Sequence, residues 1–90
     1  MPRFFFNVHD GSLQSDEVGY ELATIGDAHR VAVETMGSMM RDSPGQFAAD
    51  GEWRMEVIDD RGMVMFALHS ILVEAPASPA FRRRRPTNAG

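Results

Sequence analysis

Apolar and polar residues alternate at the start of the chain, and this period of two is typical of a β-strand. Phe4, Phe6 and Val8 share one face of the strand, and the residues between them share the other. An Asp-Gly pair, Asp10 and Gly11, follows and is typical of a tight hairpin turn. The pattern therefore predicts two strands, the second weaker than the first, over residues 3–8 and 12–16.

A different period, of three to four residues, begins after Thr24 and predicts a helix. Thr24 is a suitable N-cap, and Asp27 places an acid beside the free N–H groups of the first turn. The helix should end near Asp42, because the residue before Pro44 disfavours the helical conformation. Its apolar stripe has five members: Ile25, Ala28, Ala32, Met36 and Met39.

The period of two returns after a segment rich in Gly, Ala and Asp, residues 45–51, which is predicted to be a loop. A strand over residues 52–59 has Trp53, Met55 and Val57 on one face. A turn that ends in Gly62 joins it to a last strand, predicted over residues 63–74. Both faces of this last strand are largely apolar, which favours a central position in the sheet or a covering partner.

The order ββαββ predicts one α+β domain over residues 1–74. We expect a four-stranded, mostly antiparallel sheet with one helix packed on one face. The short segment 20–22 is expected to continue the second strand in extended form. Residues 75–90 have no apolar periodicity and are rich in Pro, Ala, Ser and Arg, so they are predicted to be a disordered, Arg-rich tail.

Charge separates this domain from the tail. All thirteen acidic residues precede residue 80 together with only five arginines, whereas four consecutive arginines follow: Arg82, Arg83, Arg84 and Arg85. An acidic body repels nucleic-acid phosphates, so nucleic acid is expected as a partner only through the tail. The chain has no cysteine, no signal-peptide pattern and no apolar run that could span a bilayer, so we expect a cytoplasmic protein without a membrane partner.

Residues that could carry chemistry are few. His9 and Asp10 could form a catalytic or metal site with His29 and His69, but they also suit the geometry of a hairpin turn. Neither of the usual zinc-binding histidine spacings on a helix occurs. Three acidic residues could bind calcium or act as acid–base groups: Asp16, Glu17 and Glu21. Their spacing does not match that of a calcium-binding loop, so we expect them to form a solvated turn. We therefore expect no enzymatic activity, no cofactor and no metal.

Several motifs follow one another in order along the chain: Met1-Pro2-Arg3-Phe4-Phe5-Phe6, His9-Asp10-Gly11, Asp16-Glu17-x-Gly19-x-Glu21-Leu22, the Ala-rich helix, and Val57-Ile58-Asp59-Asp60-Arg61-Gly62. Together they resemble a family of short bacterial proteins that form a domain of unknown function. The resemblance covers residues 1 to 74 and implies a small α+β fold. It implies no activity, because no catalytic residues are assigned in that family.

Two classes of function stay open. The favoured one is a non-enzymatic interaction module that forms a homo-oligomer or binds a protein partner. Its contacts would come from the last strand, whose second face is more apolar than one helix can cover: Met63, Met65 and Ile71. Methionine also suits adaptable binding surfaces, although it equally fills small cores. The alternative is an accessory nucleic-acid-associated regulator that uses Arg82, Arg83, Arg84 and Arg85.

Overall fold

A computed structural model describes residues 1–77 of the chain. Within these residues, five strands and two helices follow one another in this order: β1 Arg3–His9, β2 Leu13–Gln14, β3 Tyr20–Glu21, α1 Ile25–Asp42, α2 Pro44–Asp50, β4 Glu52–Ile58 and β5 Val64–Ile71. The α+β class is confirmed. Most of the predicted tail, including its four arginines, lies outside the described residues.

The strands form one open antiparallel sheet in the order β2-β1-β4-β5, and β3 also pairs with β1. β2 pairs with the C-terminal end of β1, where Val8 lies opposite Gln14. β3 pairs with the N-terminal end of β1, where Arg3 lies opposite Glu21. β4 pairs with the other side of β1, and β5 pairs with β4. β4 and β5 form a long hairpin, in which β4 lies in the middle of the sheet and β5 lies at its edge.

Two elements differ from the sequence prediction. The segment Tyr20–Glu21 forms a separate strand, because the chain turns at Gly19 (φ 75°) and pairs directly with β1. The predicted loop over residues 45–51 is mostly the helix α2, which begins at Pro44. A proline is tolerated at this first position, because its missing N–H would have no partner in the helix. The sheet thus has five strands instead of four, with two helices instead of one.

The last strand also differs from its prediction. It ends at Ile71, not at residue 74, and within residues 1–77 it pairs only with β4. Of the two alternatives that the sequence left open, the central position is therefore wrong, and the covering partner stays a prediction. A register shift at Val57 and Ile58 places Val64 opposite Ile58, after which β5 pairs regularly with β4 up to Ile71. The apolar residues on both of its faces must be explained by something other than a central place in the sheet.

The core lies between one face of the sheet and the two helices. It consists of Phe4, Phe6, Val8, Ala28, Ala32, Met36, Phe47, Trp53, Met55 and Val57. The predicted helical stripe is confirmed at its three buried members and at the partly buried Met39, whereas Ile25, in the first turn, is 40% exposed. Phe66 and Leu68 of β5 are only partly buried, because they lie at the margin of this core.

Candidate interaction surface

The backbone of β5 offers hydrogen-bonding groups on the side away from β4. The N–H of Leu72 donates to the carbonyl oxygen of Gly51 at 2.8 Å, so the hydrogen-bonding groups of Leu72 are directed towards the β4 side. In an antiparallel strand this direction alternates, so Ala67, His69 and Ile71 direct their N–H and C=O groups to the outer side. Within residues 1–77 no strand pairs with that side. An open edge of this kind is a template for pairing with another chain.

The side chains along this edge are apolar and exposed. Met63 is 61% exposed, Met65 46% and Ile71 58%. We call the exposed apolar residues of this part of the chain the β5 edge surface: Met63, Val64, Met65, Ile71 and Leu72. No Asp, Glu, Lys or Arg occurs from Met63 to Val73. The charges that commonly protect an edge strand from pairing are therefore missing from this one.

A groove of about 240 Å³ runs beside the edge, between α1 and β5. His29 packs edge-on against the ring of Phe66, with 4.6 Å between the ring centroids. Val33, on the next turn of the helix, is 60% exposed. Leu68 completes the apolar lining on the strand. The groove exists because α1 lies over the centre of the sheet and does not reach across β5.

The opposite edge of the sheet is short and interrupted by contrast, because two strands of two residues each, β2 and β3, pair with the two ends of β1. Between β2 and β3, the carboxylate Oδ2 of Asp16 accepts the N–H of Phe6 at 3.2 Å. The N–H of Asp16 donates in turn to Oδ1 of Asn7 at 2.9 Å. A side chain thus takes the place that a pairing strand would occupy, and the two edges of the sheet differ in their capacity to pair.

Asp16 is a structural residue and not part of a fully solvated turn as predicted, since it is half-buried. Burial raises the pKa of Asp16, but hydrogen bonds from the N–H groups of Gly19, Val18 and Phe6, and the charge of Arg3, outweigh burial and hold the pKa below its ordinary value. The carboxylate is therefore charged at neutral pH. Its lone pairs already accept backbone N–H groups, so it is poorly suited to acid–base chemistry.

A row of polar side chains crosses the sheet face that points away from the helices. His9, Arg54 and His69 lie opposite one another on β1, β4 and β5. Arg54 Nη2 is 3.4 Å from His9 Nε2 and 3.7 Å from Glu56 Oε2. His69 Nδ1 is 3.8 Å from Glu52 Oε2. Their depression, about 230 Å³ and lined by His9, Glu52 and Arg54, is open to solvent.

The structure does not bring the three histidines together. His9 and His69 lie on this outer face, whereas His29 lies on α1 beside Phe66, on the opposite face of the sheet. In the described part of the chain, no group of three or more His, Cys, Asp or Glu residues is placed to hold a metal ion. The histidine cluster that the sequence left open as a site is therefore divided between two faces.

The methionines are divided between core and surface. Met36 and Met55 are buried, Met39 and Met40 are partly buried against the core, and Met63 and Met65 are exposed. Core filling is therefore confirmed for the buried methionines, whereas an adaptable binding surface stays a prediction for Met63 and Met65. Sequence reasoning missed Val33 as part of the groove, because this residue lies outside the apolar stripe that was assigned to α1. The predicted site at Arg82, Arg83, Arg84 and Arg85 lies outside the described residues.

Over residues 1–77 these features define a small α+β protein with two helices on one face of an antiparallel sheet and a long, apolar edge strand, β5. Comparison with protein families gives one assignment. The chain belongs to the family described as Domain of unknown function (DUF6894), whose model matches residues 3–71, from β1 to the end of β5. The expected membership of a family of unknown function is thus confirmed. The comparisons with curated proteins and with solved structures give no match.

Neither α1 nor α2, the helices found between residues 1 and 77, combines the length and the apolar character that crossing a bilayer requires. The longer helix, α1, carries Asp27, Arg30 and Glu34, whose side chains form ion pairs at its surface. Its buried apolar residues, Ala28, Ala32 and Met36, pack in the core against the sheet.

Proposed function

We propose that this protein is a non-enzymatic interaction module that associates with a second copy or with another protein through the β5 edge surface. The observation that carries the proposal is the outer edge of β5, where, among residues 1–77, backbone groups without a pairing strand and exposed apolar side chains occur together. Pairing with another strand would satisfy the backbone groups and remove the apolar side chains from water. A cytoplasmic location remains part of the proposal.

Magnitudes support an association of this kind. Fully burying a side chain such as Met65 or Ile71 contributes about 1.5–3 kcal/mol relative to leaving it exposed. A net hydrogen bond adds roughly 0.5–1.5 kcal/mol. The ordering cost of association consumes much of this gain, so micromolar affinity is a reasonable expectation. No comparable feature supports catalysis, because the polar row around Arg54 lies on an open surface and not in an enclosed cavity.

The first prediction tests this surface by substitution. The double variant Met65→Glu/Ile71→Glu places two charges where a pairing strand would desolvate them, and it should be monomeric and folded. Light scattering at micromolar concentration should show that the wild-type chain is a dimer or larger, or that it enters a complex with a protein partner. We expect the variant to weaken this association at least tenfold.

The matched control is Leu13→Glu/Val18→Glu, which adds the same charge at exposed apolar residues near the opposite edge of the sheet. This control should associate like the wild type, with the same circular dichroism. Equal association of both double variants and the wild type would remove the β5 edge surface from the function. A wild-type chain that is monomeric and enters no complex would reject the proposal as a whole.

The separation of charge along the sequence favours a second candidate, an accessory nucleic-acid-associated regulator. All acidic residues precede the arginine run, so the cationic tail is the one part of the chain suited to phosphates. This candidate requires salt-dependent binding to DNA or RNA that is lost when residues 78–90 are removed. Binding that survives this removal, or that does not depend on salt, would reject it.

A further inference from the structure

We infer that the partner of β5 is the β5 strand of a second copy, paired antiparallel about a two-fold axis that passes beside Leu68. This inference rests on the proposed function and adds the identity of the partner and the register of the pairing. The two sheets would join into one continuous sheet across the two open edges. The inference follows from the backbone directions, the order of side chains along β5 and the distribution of charge.

The backbone directions limit the possible registers. Ala67, His69 and Ile71 direct their hydrogen-bonding groups to the open side, so they must face residues of the same kind in the second copy. With Leu68 on the axis, Ala67 faces His69 of the second copy and Ile71 faces its Met65. Each outward-directed residue then faces an outward-directed residue of the second copy, so their backbone groups can form hydrogen bonds. Leu68 faces Leu68 of the second copy without backbone hydrogen bonds between them, and side chains approach most closely in such a pair.

The side chains are complementary in this register. On the outer face, Met65 meets Ile71 at both ends of the interface, so two exposed apolar pairs are covered. On the helix face, the two Leu68 side chains meet at the axis and Phe66 faces Ser70. The register shift with β4 lies at Val57 and Ile58, at the beginning of β5. The part of β5 from Phe66 to Ile71 is therefore regular and able to pair.

Neighbouring registers are less favourable. A shift by two residues in one direction brings the two His69 side chains opposite each other, which causes repulsion whenever both are protonated. The opposite shift places Met65 against His69 and leaves Ile71 against Met63, beyond the end of the strand. Shifts by one residue would direct hydrogen-bonding groups against the wrong partners. The register about Leu68 is the one that satisfies both backbone and side chains.

The groove beside β5 also fits a second copy. A two-fold axis perpendicular to the sheet places both α1 helices on the same side of the joined sheet. The groove of each copy, lined by His29, Val33, Phe66 and Leu68, then lies next to the axis and receives Leu68 of the second copy. The exposed Val33 side chains would approach the same region, so an apolar core would continue from one protomer to the other.

Charge favours a second copy over a partner that is recognised by its charge. The body of the protein is acidic, and two acidic bodies repel each other except where charge is absent. The segment from Met63 to Val73 is that place, because it contains no Asp, Glu, Lys or Arg. A basic partner would find no complementary acid on this edge, whereas an identical, uncharged strand meets no opposing charge.

Engineered cysteines test this register, because the natural chain contains none. Residues on the axis of an antiparallel pair without hydrogen bonds have Cα atoms about 4.5 Å apart, within the range of about 4.4–6.8 Å for disulfides. Leu68→Cys should therefore form a disulfide-linked dimer under mild oxidation, at least tenfold more than the control Leu13→Cys. Ala67→Cys and His69→Cys report the two neighbouring registers and should form fewer dimers.

A mixture of Met65→Cys and Ile71→Cys provides an independent test on exposed positions that do not affect folding. In the proposed register these residues face each other, so the mixed disulfide should exceed both homodimers several-fold when the two variants differ in mass. Equal amounts of mixed and unmixed dimers, or stronger crosslinking of Ala67→Cys or His69→Cys than of Leu68→Cys, would overturn the register. Circular dichroism confirms that each variant is folded.

The outcomes separate this inference from the proposed function. If Met65→Glu/Ile71→Glu abolishes binding to a different protein while the wild type never self-associates, the interaction module stands and the dimer is rejected. If self-association appears only after residues 78–90 are removed, that segment of the chain occupies the edge, and the inference also fails. If neither substitution nor crosslinking affects association, both proposals fail.

Discussion

At the scale of single residues, Asp16 covers the part of β1 that lies between its pairings with β2 and β3. Its carboxylate accepts the N–H groups of Val18 and Gly19, each at 3.0 Å, and that of Phe6 across the edge of β1. Gly19 allows the tight turn, because it has a positive φ of 75° and a Cβ atom there would lie 2.8 Å from the carbonyl oxygen of Phe4. Asp16 and Gly19 therefore hold the segment between β2 and β3 against the side of β1 that faces away from β4.

We predict that Asp16→Asn lowers the stability of the fold by about 1–3 kcal/mol at neutral pH, because charge-assisted hydrogen bonds are lost. The pKa of Asp16 is lowered by folding, so its stabilising contribution is present above the pKa of the unfolded chain, about 3.9. This contribution is lost as the pH falls through the folded pKa. The difference between wild type and variant in urea denaturation should therefore shrink below about pH 4.

The control is Glu17→Gln, which removes the same charge at the exposed neighbouring residue. It should change the free energy of unfolding by no more than about 0.5 kcal/mol, as is usual for a surface substitution. An Asp16→Asn variant as stable as the control at neutral pH would show that the carboxylate does not hold the β1 edge. A difference that grows towards acid would contradict the direction of the pKa.

At the scale of elements, α2 shows how a short helix is held by its contacts. Phe47 packs edge-on against Trp53 of β4, with 5.2 Å between the ring centroids. Trp53 Nε1 donates to Asp50 Oδ2 at 2.8 Å. The Gln46 amide and the Trp53 indole donate hydrogen bonds that lower the pKa of Asp50 below its ordinary value. A helix of seven residues is marginal alone, so these contacts account for its formation.

We therefore predict that Phe47→Ala lowers the free energy of unfolding by about 3–5 kcal/mol, as is typical for a buried phenylalanine. The control is Gln46→Ala on the exposed side of the same helix, which should cost less than about 1 kcal/mol. Thermal denaturation followed by tryptophan fluorescence measures both, because Trp53 contacts the substituted ring. Equal stability of the two variants would mean that α2 does not close this end of the core.

At the scale of the whole molecule, the position of α1 decides which parts of the sheet are covered. α1 and α2 contact β4, and the buried residues extend from Phe4 to Val57 in the sequence. β5 therefore contributes only partly buried side chains to the core, and within residues 1–77 one of its sides is unpaired. The other edge of the sheet consists of two strands of two residues each, β2 and β3, so the eight-residue β5 is the longer edge at which the sheet can be extended.

We predict that residues 76–90 are dispensable for folding, because the core found within the described residues 1–77 is formed entirely by residues 4–57, with partly buried contacts up to Leu68. Truncation after Ala75 should leave the circular dichroism spectrum and the melting temperature unchanged. For a domain of this size, about 1 kcal/mol corresponds to a shift of roughly 4–8 °C, so a small contribution would be detected. A loss of several degrees would contradict the prediction and show that the tail contributes to the folded state.

The sequence by itself determined the local elements and their faces. The period of two in β1 and β4 and the period of three to four in α1 correctly predicted the main buried residues, including Phe4, Ala32 and Met55. Capping by Thr24 is confirmed, since its hydroxyl oxygen accepts the N–H of Asp27 at 3.1 Å. These features are encoded locally, because periodicity and caps depend on residues within one or two turns of each other.

Only the tertiary structure decided the features that depend on distant pairing. Tyr20–Glu21 forms the strand β3 because it pairs with the beginning of β1. The segment α2 forms a helix because Phe47 packs against Trp53. The apolar pattern of β5 is the same for a central strand and for an edge strand that pairs with another chain. Its place beside β4 alone is set by strand order, which no short-range signal specifies, because it depends on which chain segments meet across the sheet.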